Sequence, residues 1–217
     1  MSLKYQIVPV TSYAQNCSIV WCDETMKGIV IDPGGDVKQL IMLINELQVD
    51  VVNLVLTHGH LDHVGGAQEL AEALSVDIIG PHKADNFWLQ GLEGQSQMFG
   101  FPLTEAFEPQ QWLEEGDTIS FGNLSLDVYH TPGHTPGHVV LYNKNAKISF
   151  VGDVLFAGGV GRSDFPQGDH ATLISSIKNK LWPLGNDVEF VPGHGPMSTF
   201  GKERKTNPFV ADEMPLY

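Results

Sequence analysis

The sequence predicts one α/β domain spanning residues 1–217. Three observations carry this expectation. Apolar runs of strand length alternate with stretches of helical apolar spacing, and most of the runs close in a turn rich in Gly or Pro. The length of 217 residues, 42% hydrophobic with 23 Gly and 13 Pro, suits a single well-packed, turn-rich core. Twelve Lys and Arg against 26 Asp and Glu leave a net charge of −14, which repels nucleic acid and anionic membranes. No stretch approaches the ~18 consecutive apolar residues of a membrane span. Residues 1–10 lack the charged-then-apolar layout of a secretory signal, so the expectation is a cytoplasmic protein, a monomer by default, without nucleic-acid or membrane partners. An anionic substrate would need a local basic group. Cys17 and Cys22, the two cysteines, would lie roughly 16 Å apart on one extended strand, too far to bridge, so both are expected reduced and buried.

In chain order, residues 5–10, 17–21 and 28–31 read as strands, the last two joined by a polar turn at 23–27. The third ends in Ile31-Asp32-Pro33-Gly34-Gly35-Asp36, where glycines turn the chain into a helix over 37–47. Asp32, near a strand end, either bonds its own turn or orients a ligand histidine from behind. A buried strand over 51–56 leads into Thr57-His58-Gly59-His60-Leu61-Asp62-His63-Val64-Gly65-Gly66 and a helix over 67–74. A strand at 77–79 and a helix at 83–89 follow, then residues 91–111, which show no clear period. A long irregular segment in a compact domain is often a binding loop or lid, although Met98, Phe99 and Phe101 suit a piece of core equally well.

Residues 117–121 and 124–130 read as a hairpin across Gly122-Asn123. Thr131-Pro132-Gly133-His134-Thr135-Pro136-Gly137-His138 is a rigid double turn before a strand over 139–142. A strand over 147–151 ends in Gly152-Asp153, and Gly158-Gly159-Val160-Gly161-Arg162-Ser163-Asp164 is a mobile or tightly turned loop. Ala171, Ile174, Ile177 and Leu181 set the period of a helix over 169–182. A strand over 188–191 delivers Pro192-Gly193-His194-Gly195-Pro196, and the end of the chain, 212–217, is too short for a further domain.

The chemistry concentrates at 58–63. Three imidazoles and a carboxylate within six residues exceed what a helix cap needs, since a cap uses one side chain. His58 and His60 point the same way in an extended segment, while Asp62 and His63 fall where the chain turns into the helix. Strand ends thus present His58, His60, Asp62 and His63, then His134, then Asp153, then His194. Such mixed donors suit zinc and also iron or manganese. The simplest division gives one metal His58, His60 and His134, the other Asp62, His63 and His194, with Asp153 bridging. Each metal then has room for a shared water, which deprotonates near neutral pH and becomes a nucleophile while an open metal position polarises a carbonyl. Hydrolysis is the expected reaction. His138 is read as a buried, hydrogen-bonded histidine, and His82, His130 and His170 are assigned to structure or solvent. Arg162, a rare positive charge in an acidic chain, either holds an anionic substrate group or forms a surface ion pair.

His58-Gly59-His60-Leu61-Asp62-His63, followed by His134, Asp153 and His194 in Gly-rich turns, resembles the metallo-β-lactamase superfamily over nearly the whole chain. The resemblance implies a four-layer αββα sandwich of two similar halves with a dinuclear site at the edge between the sheets. Within the superfamily the chain is most similar to glyoxalase II, the hydroxyacylglutathione hydrolases, in their short single-domain bacterial form. Pro132-Gly133-His134-Thr135-Pro136-Gly137-His138 and Gly152-Asp153-Val154-Leu155-Phe156 match that pattern, and neither cysteine lies near a ligand turn as one major class of β-lactamases requires. The resemblance implies hydrolysis of a small-molecule thioester, S-D-lactoylglutathione, to D-lactate and glutathione. A hydroxide bridging two divalent ions, zinc first, would attack, with Asp62 orienting or deprotonating the water. The chain stops short of the C-terminal helical domain with which two-domain members hold glutathione, so Arg162 and residues 91–111 are the candidate contacts. A mononuclear iron persulfide dioxygenase, which shows a stretch similar to Gly161-Arg162-Ser163-Asp164-Phe165, and a lactonase on the same fold are the alternatives.

Overall fold

Two sheets face one another in the computed structural model, which describes residues 2–213; most of the expected short tail, residues 214–217, lies outside the described residues. The first sheet has the order β1 (Leu3–Val10), β2 (Gln15–Cys22), β3 (Lys27–Ile31), β4 (Asp50–Val55), β5 (Asp77–Ile79). Its first three strands are antiparallel and its last three parallel. The second sheet contains β6 (Thr118–Phe121), β7 (Leu124–His130), β8 (Val139–Asn143) and β9 (Ile148–Gly152), antiparallel in sequence order. A small ribbon of β10 (Leu155–Phe156) and β11 (Gly159–Val160) follows, and β12 (Glu189–Pro192) then joins β9 in parallel, edged by β13 (Ser198–Thr199).

The strands are apolar on both faces because each sheet is covered twice. In the first sheet Val20, Ile29, Ile31 and Val55 meet Leu126, Val139, Leu141, Phe150 and Val191 of the second, which forms the middle layer. Alternate residues Cys17, Ile19, Val30 and Leu54 point outward against Leu40, Ile44 and Leu70 of α1 (Val37–Leu47) and α3 (Ala67–Leu74). On the far side, Val140, Tyr142, Val151 and Phe190 are covered by Leu173 of α6 (His170–Ser176) and Phe200 of α7 (Phe200–Thr206). Three apolar layers between four layers of elements are the αββα arrangement that the resemblance implied. Each fully buried Leu, Ile, Val or Phe contributes on the order of 1.5–3 kcal/mol to this stack. Cys17 and Cys22 are free and buried on β2, as expected. Among the described residues no helix is long and apolar enough to cross a membrane.

Two expectations are corrected. Residues 91–111 are not irregular throughout: α5 (Leu92–Phe99) occupies the first part, following α4 (Asn86–Gln90). The buried positions of α5 are Leu92, Gln95 and Ser96, so two of its three inward residues are polar and no apolar period could reveal it. The helix expected over 169–182 is capped by Asp169, whose Oδ1 accepts from the Thr172 N–H at 2.7 Å, and then widens into a π turn at Ile177–Leu181. A last helix, α7, was not anticipated; the Thr199 hydroxyl caps it by accepting from the Lys202 N–H at 3.1 Å.

What positions the site is strand polarity. β3 and β4 run parallel, β9 and β12 run parallel, and β7 shares the direction of β9 across the antiparallel β8. Their C-terminal ends therefore emerge at one edge of the sandwich. Cross-sheet bonds sew that edge: the Val139 N–H donates to the Thr57 carbonyl at 2.8 Å, and the Asn16 N–H to the Gly193 carbonyl at 2.7 Å.

Candidate metal centre

All seven predicted donors meet at this edge. His58 Nε2 lies 3.2 Å from His60 Nδ1, which lies 3.0 Å from His134 Nε2. Donors of a tetrahedral ion with bonds of about 2.0–2.1 Å sit ~3.3 Å apart, so this spacing fits one ion. Burial, followed by the neighbouring His63, holds His58 well below the ordinary imidazole range; burial and His134 bring His60 down to about 3, and burial also lowers His134. All three rings are neutral at pH 7 and present lone pairs to the same point.

The second group forms on α2 (Leu61–Val64) and the turn after β12. Asp62 Oδ2 is 3.1 Å from His194 Nε2 and 3.9 Å from His63 Nε2. Asp153 stands between the groups, with Oδ1 3.3 Å from His63 Nε2 and Oδ2 3.7 Å from His134 Nε2 and 3.8 Å from His194 Nε2. Burial pushes the Asp153 carboxyl up, but the imidazoles gathered around it, His63 first, outweigh it and hold Asp153 well below the usual carboxylate range.

The residues present fit bound cations. His63 Nε2 and Asp153 Oδ1 are buried and have no aligned hydrogen-bond partner. Two orphaned acceptors of this kind would cost about 1–3 kcal/mol each unless a cation satisfied them. Supporting bonds turn the inward nitrogens of four of the five rings into acceptors, while His60 Nε2 has no partner. The His63 Nδ1–H donates to Asp32 Oδ2 at 2.9 Å, the His134 Nδ1–H to the Arg162 carbonyl at 2.6 Å, and the His194 Nδ1–H to the Tyr13 carbonyl at 3.2 Å. The His58 Nδ1–H donates to the Thr57 hydroxyl at 3.0 Å, which donates in turn to Asp32 Oδ2 at 2.6 Å.

Asp32 thus resolves to its supporting role. Asp32, His58 and His63 are close enough to hold an ion by distance alone, but Asp32 already serves the Thr57 N–H at 2.7 Å, the Thr57 hydroxyl and His63. Asp32→Asn is expected to keep the fold and weaken metal affinity about 10- to 100-fold. Competition against a chromogenic chelator measures this, and an unchanged affinity would remove the role.

His138 is buried and stacks on His58 with centroids 4.7 Å apart. Its Nε2 accepts from the Asp153 N–H at 3.1 Å, which positions Asp153 from the backbone. His82 and His130 stack on each other away from the donors, and His170 pairs with Ser163, as the assignment to structure implied. Gly193 lets the last turn close over the site: a Cβ there would stand 2.1 Å from Asp153 Oδ1 and 2.6 Å from His63 Cε1.

Sequence reasoning missed Asp85. It is fully buried and accepts from the Gly59 N–H at 2.9 Å, the Thr135 hydroxyl at 2.7 Å and the Gly137 N–H. One carboxylate therefore ties the loop of His58 and His60 to the loop of His134. Burial pushes its pKa up to about 6 against the pull of these bonds, leaving it ionised at neutral pH. Nothing in His82-Lys83-Ala84-Asp85 distinguishes it from the polar start of a surface helix; the only signal was the pair of glycines, whose purpose requires the partner to be known.

A cavity of about 350 Å³ opens above the donors, with His60, Asp62, His134 and Asp153 among its lining residues. Gln95, Met98, Phe99 and Phe101, all from the segment read as a binding loop, line it as well. Arg162 reaches its rim, where both alternatives offered for it meet: its guanidinium pairs with both oxygens of Asp164 and lies over the Phe165 ring, 4.3 Å from the centroid.

An αββα sandwich with His and Asp donors gathered at the strand ends between its sheets is a metallo-hydrolase fold. The sequence model of the metallo-beta-lactamase superfamily matches residues 10–194, and the chain belongs to that superfamily. Among curated proteins it is 46% identical to hydroxyacylglutathione hydrolase GloC of Haemophilus influenzae, over 96% of this chain and 98% of the relative. Among solved structures it is similar to the BLEG-1 B3 metallo-beta-lactamase, with a TM-score of 0.88 and 33% identity over 95% of this chain and 99% of that one. It is also similar to a di-iron-bound form of TTHA1623, with a TM-score of 0.86 and 35% identity over 94% of this chain and 100% of that one.

Proposed function

We propose that this chain acts as a single metallo-β-lactamase-like domain and is a dinuclear metal-dependent thioester hydrolase, converting S-D-lactoylglutathione to D-lactate and glutathione. The observation that carries the reading is Asp153, whose two oxygens reach toward both donor groups. The name of the GloC relative supports the substrate. His58, His60 and His134 would hold one divalent ion and Asp62, His63 and His194 the other, with Asp153 shared; zinc is the first expectation, and iron or manganese suits the same donors. When bound, such ions supply the positive charge that lowers the pKa of water and polarises a carbonyl.

The chain's own contribution is position and proton handling. Water oxygen joins the thioester carbonyl carbon, the C–S bond breaks, and the products are a carboxylate and a thiol. Asp62 lines the cavity, with Oδ2 facing His194, and is placed to orient the attacking water or take its proton. Burial raises the Asp62 carboxyl, but the imidazoles of His63 and His194 facing it outweigh this, so it is ionised and able to accept. Arg162 supplies a rim contact to an anionic thiol group, already shared with Asp164. Arg162→Ala is expected to raise KM for lactoylglutathione about twofold to threefold, the scale of a screened surface charge, and an unchanged KM would remove the contact.

Metal content per chain and thiol release from S-D-lactoylglutathione, measured on one as-purified batch, test the reading. Two ions with saturable release are expected. One iron ion with no release, and oxygen uptake with glutathione persulfide, would replace it with the persulfide dioxygenase reading. The 33% identity to BLEG-1 gives β-lactam hydrolysis a place as a second reading. Faster turnover of a chromogenic cephalosporin than of any thioester or lactone would favour it.

A further inference from the structure

We propose that the preferred substrate of this site is a 2-hydroxyacyl thioester bearing an aromatic or branched aliphatic acyl side chain, recognised chiefly by apolar contact, with the Arg162 charge a minor contribution. The inference rests on the thioesterase reading and narrows it. Trp88 stands edge-on to His60 with centroids 4.5 Å apart, and Phe165 approaches the same ring at 5.0 Å. These two rings lie 6.1 Å apart beside the first donor group. Elsewhere in the lining, Phe101 packs on Tyr13 at 5.1 Å. Met98 and Phe99 carry apolar surface outward at the mouth, 78% and 43% exposed. Large apolar side chains left in water around a cavity mark a surface that gains by being covered.

The amide and the guanidinium of the same lining are already committed, while the buried Trp88 Nε1–H is without a partner. Gln95 Oε1 accepts from the Leu61 N–H at 3.0 Å, and its Nε2 donates to the Trp88 carbonyl at 2.9 Å. Among the described residues lining the cavity, Arg162 is the one Lys or Arg, and Asp164 and the face of Phe165 hold its guanidinium. Glutathione brings two carboxylates, and this wall has no uncommitted cation to meet them. The cavity of about 350 Å³ is walled by Trp88 and Phe165 beside the first donor group, and these aromatic walls reward each added carbon of the acyl side chain.

The test compares S-lactoylglutathione with S-mandeloylglutathione, the same 2-hydroxy thioester with phenyl in place of methyl, on the metal-loaded enzyme. Both acyl groups are also presented on N-acetylcysteamine, an uncharged thiol, at low and high salt. At about fourfold per buried methylene, kcat/KM for the mandeloyl ester is expected to exceed that for the lactoyl ester at least about tenfold. Exchange of glutathione for the uncharged thiol is expected to cost less than about fivefold, with salt changing KM of the glutathione esters by no more than about threefold, the scale of the one screened Arg162 contact. Phe165→Ala should collapse the mandeloyl-to-lactoyl ratio, and Met98→Gln, at the exposed rim, should lower it without touching the core. A lactoyl ester turned over as well as the mandeloyl ester, or a loss above about 100-fold on the uncharged thiol, would overturn the inference in favour of recognition of glutathione by charge. Release of thiol from none of the four esters by enzyme with both ions bound would remove the thioesterase reading, and this one with it.

Discussion

Asp153→Ala is expected to lower thioester turnover at least about 10³-fold, several kcal/mol of transition-state stabilisation, and to take metal content below two ions per chain. The reason is geometric. Asp153 is the donor residue whose carboxylate stands within 4 Å of rings from both groups, so its removal leaves His63 Nε2 facing an empty point and separates the two sets. The backbone bond from the Asp153 N–H to His138 persists in the variant, which therefore keeps its turn and isolates the loss of the carboxylate. Elemental analysis beside a thiol-release assay reads both effects. Two ions and near-normal turnover in the variant would sink the shared-ligand assignment.

Asp85→Ala is expected to be the most damaging substitution away from the donors. It would strand the Gly59 and Gly137 N–H groups and the Thr135 hydroxyl in a buried space, at about 1–3 kcal/mol for each unsatisfied group, and open a small cavity as well. A total near 4 kcal/mol corresponds to a fall in Tm of roughly 10 °C for a chain of this size. Because the bonds lost are those that hold two donor loops together, metal affinity should fall in the same variant. Asp85→Asn keeps the volume but turns an NH2 group toward a donor, so it should fall between the two. Scanning calorimetry of metal-loaded protein measures the series, and a Tm equal to the parent's would show that the loops are held by other contacts.

The sequence was a good guide wherever the physics is local. The ranges of α1, α3, β5 and β7 fall where periodicity and glycine turns put them, because an element that covers a sheet must repeat its apolar residues at its own pitch. The donor residues were legible for a related reason: four ligand-type side chains in six residues have no economical packing explanation, and each remaining donor sits in a Gly or Pro turn at a strand end. α5 was not legible. Its inward Gln95 and Ser96 bond Leu61, Trp88, Leu92 and Thr104, so its stability comes from specific partners and not from an apolar stripe.

By itself, then, the sequence determined the superfamily and the α/β class and nominated the candidate donors, since residue identity and spacing along one strand or turn are properties of the chain before it folds. Only the tertiary structure decided how those donors are used. Asp32 is separated from His63 by 31 residues, Asp85 from Gly137 by 52, and His194 from Asp62 by 132. Which nitrogen of each ring faces inward, which carboxylate stands behind and which between, and whether the one nearby arginine is free or paired all depend on contacts closed across such separations. Those contacts are fixed when two sheets pack face to face and bring their strand ends to one edge.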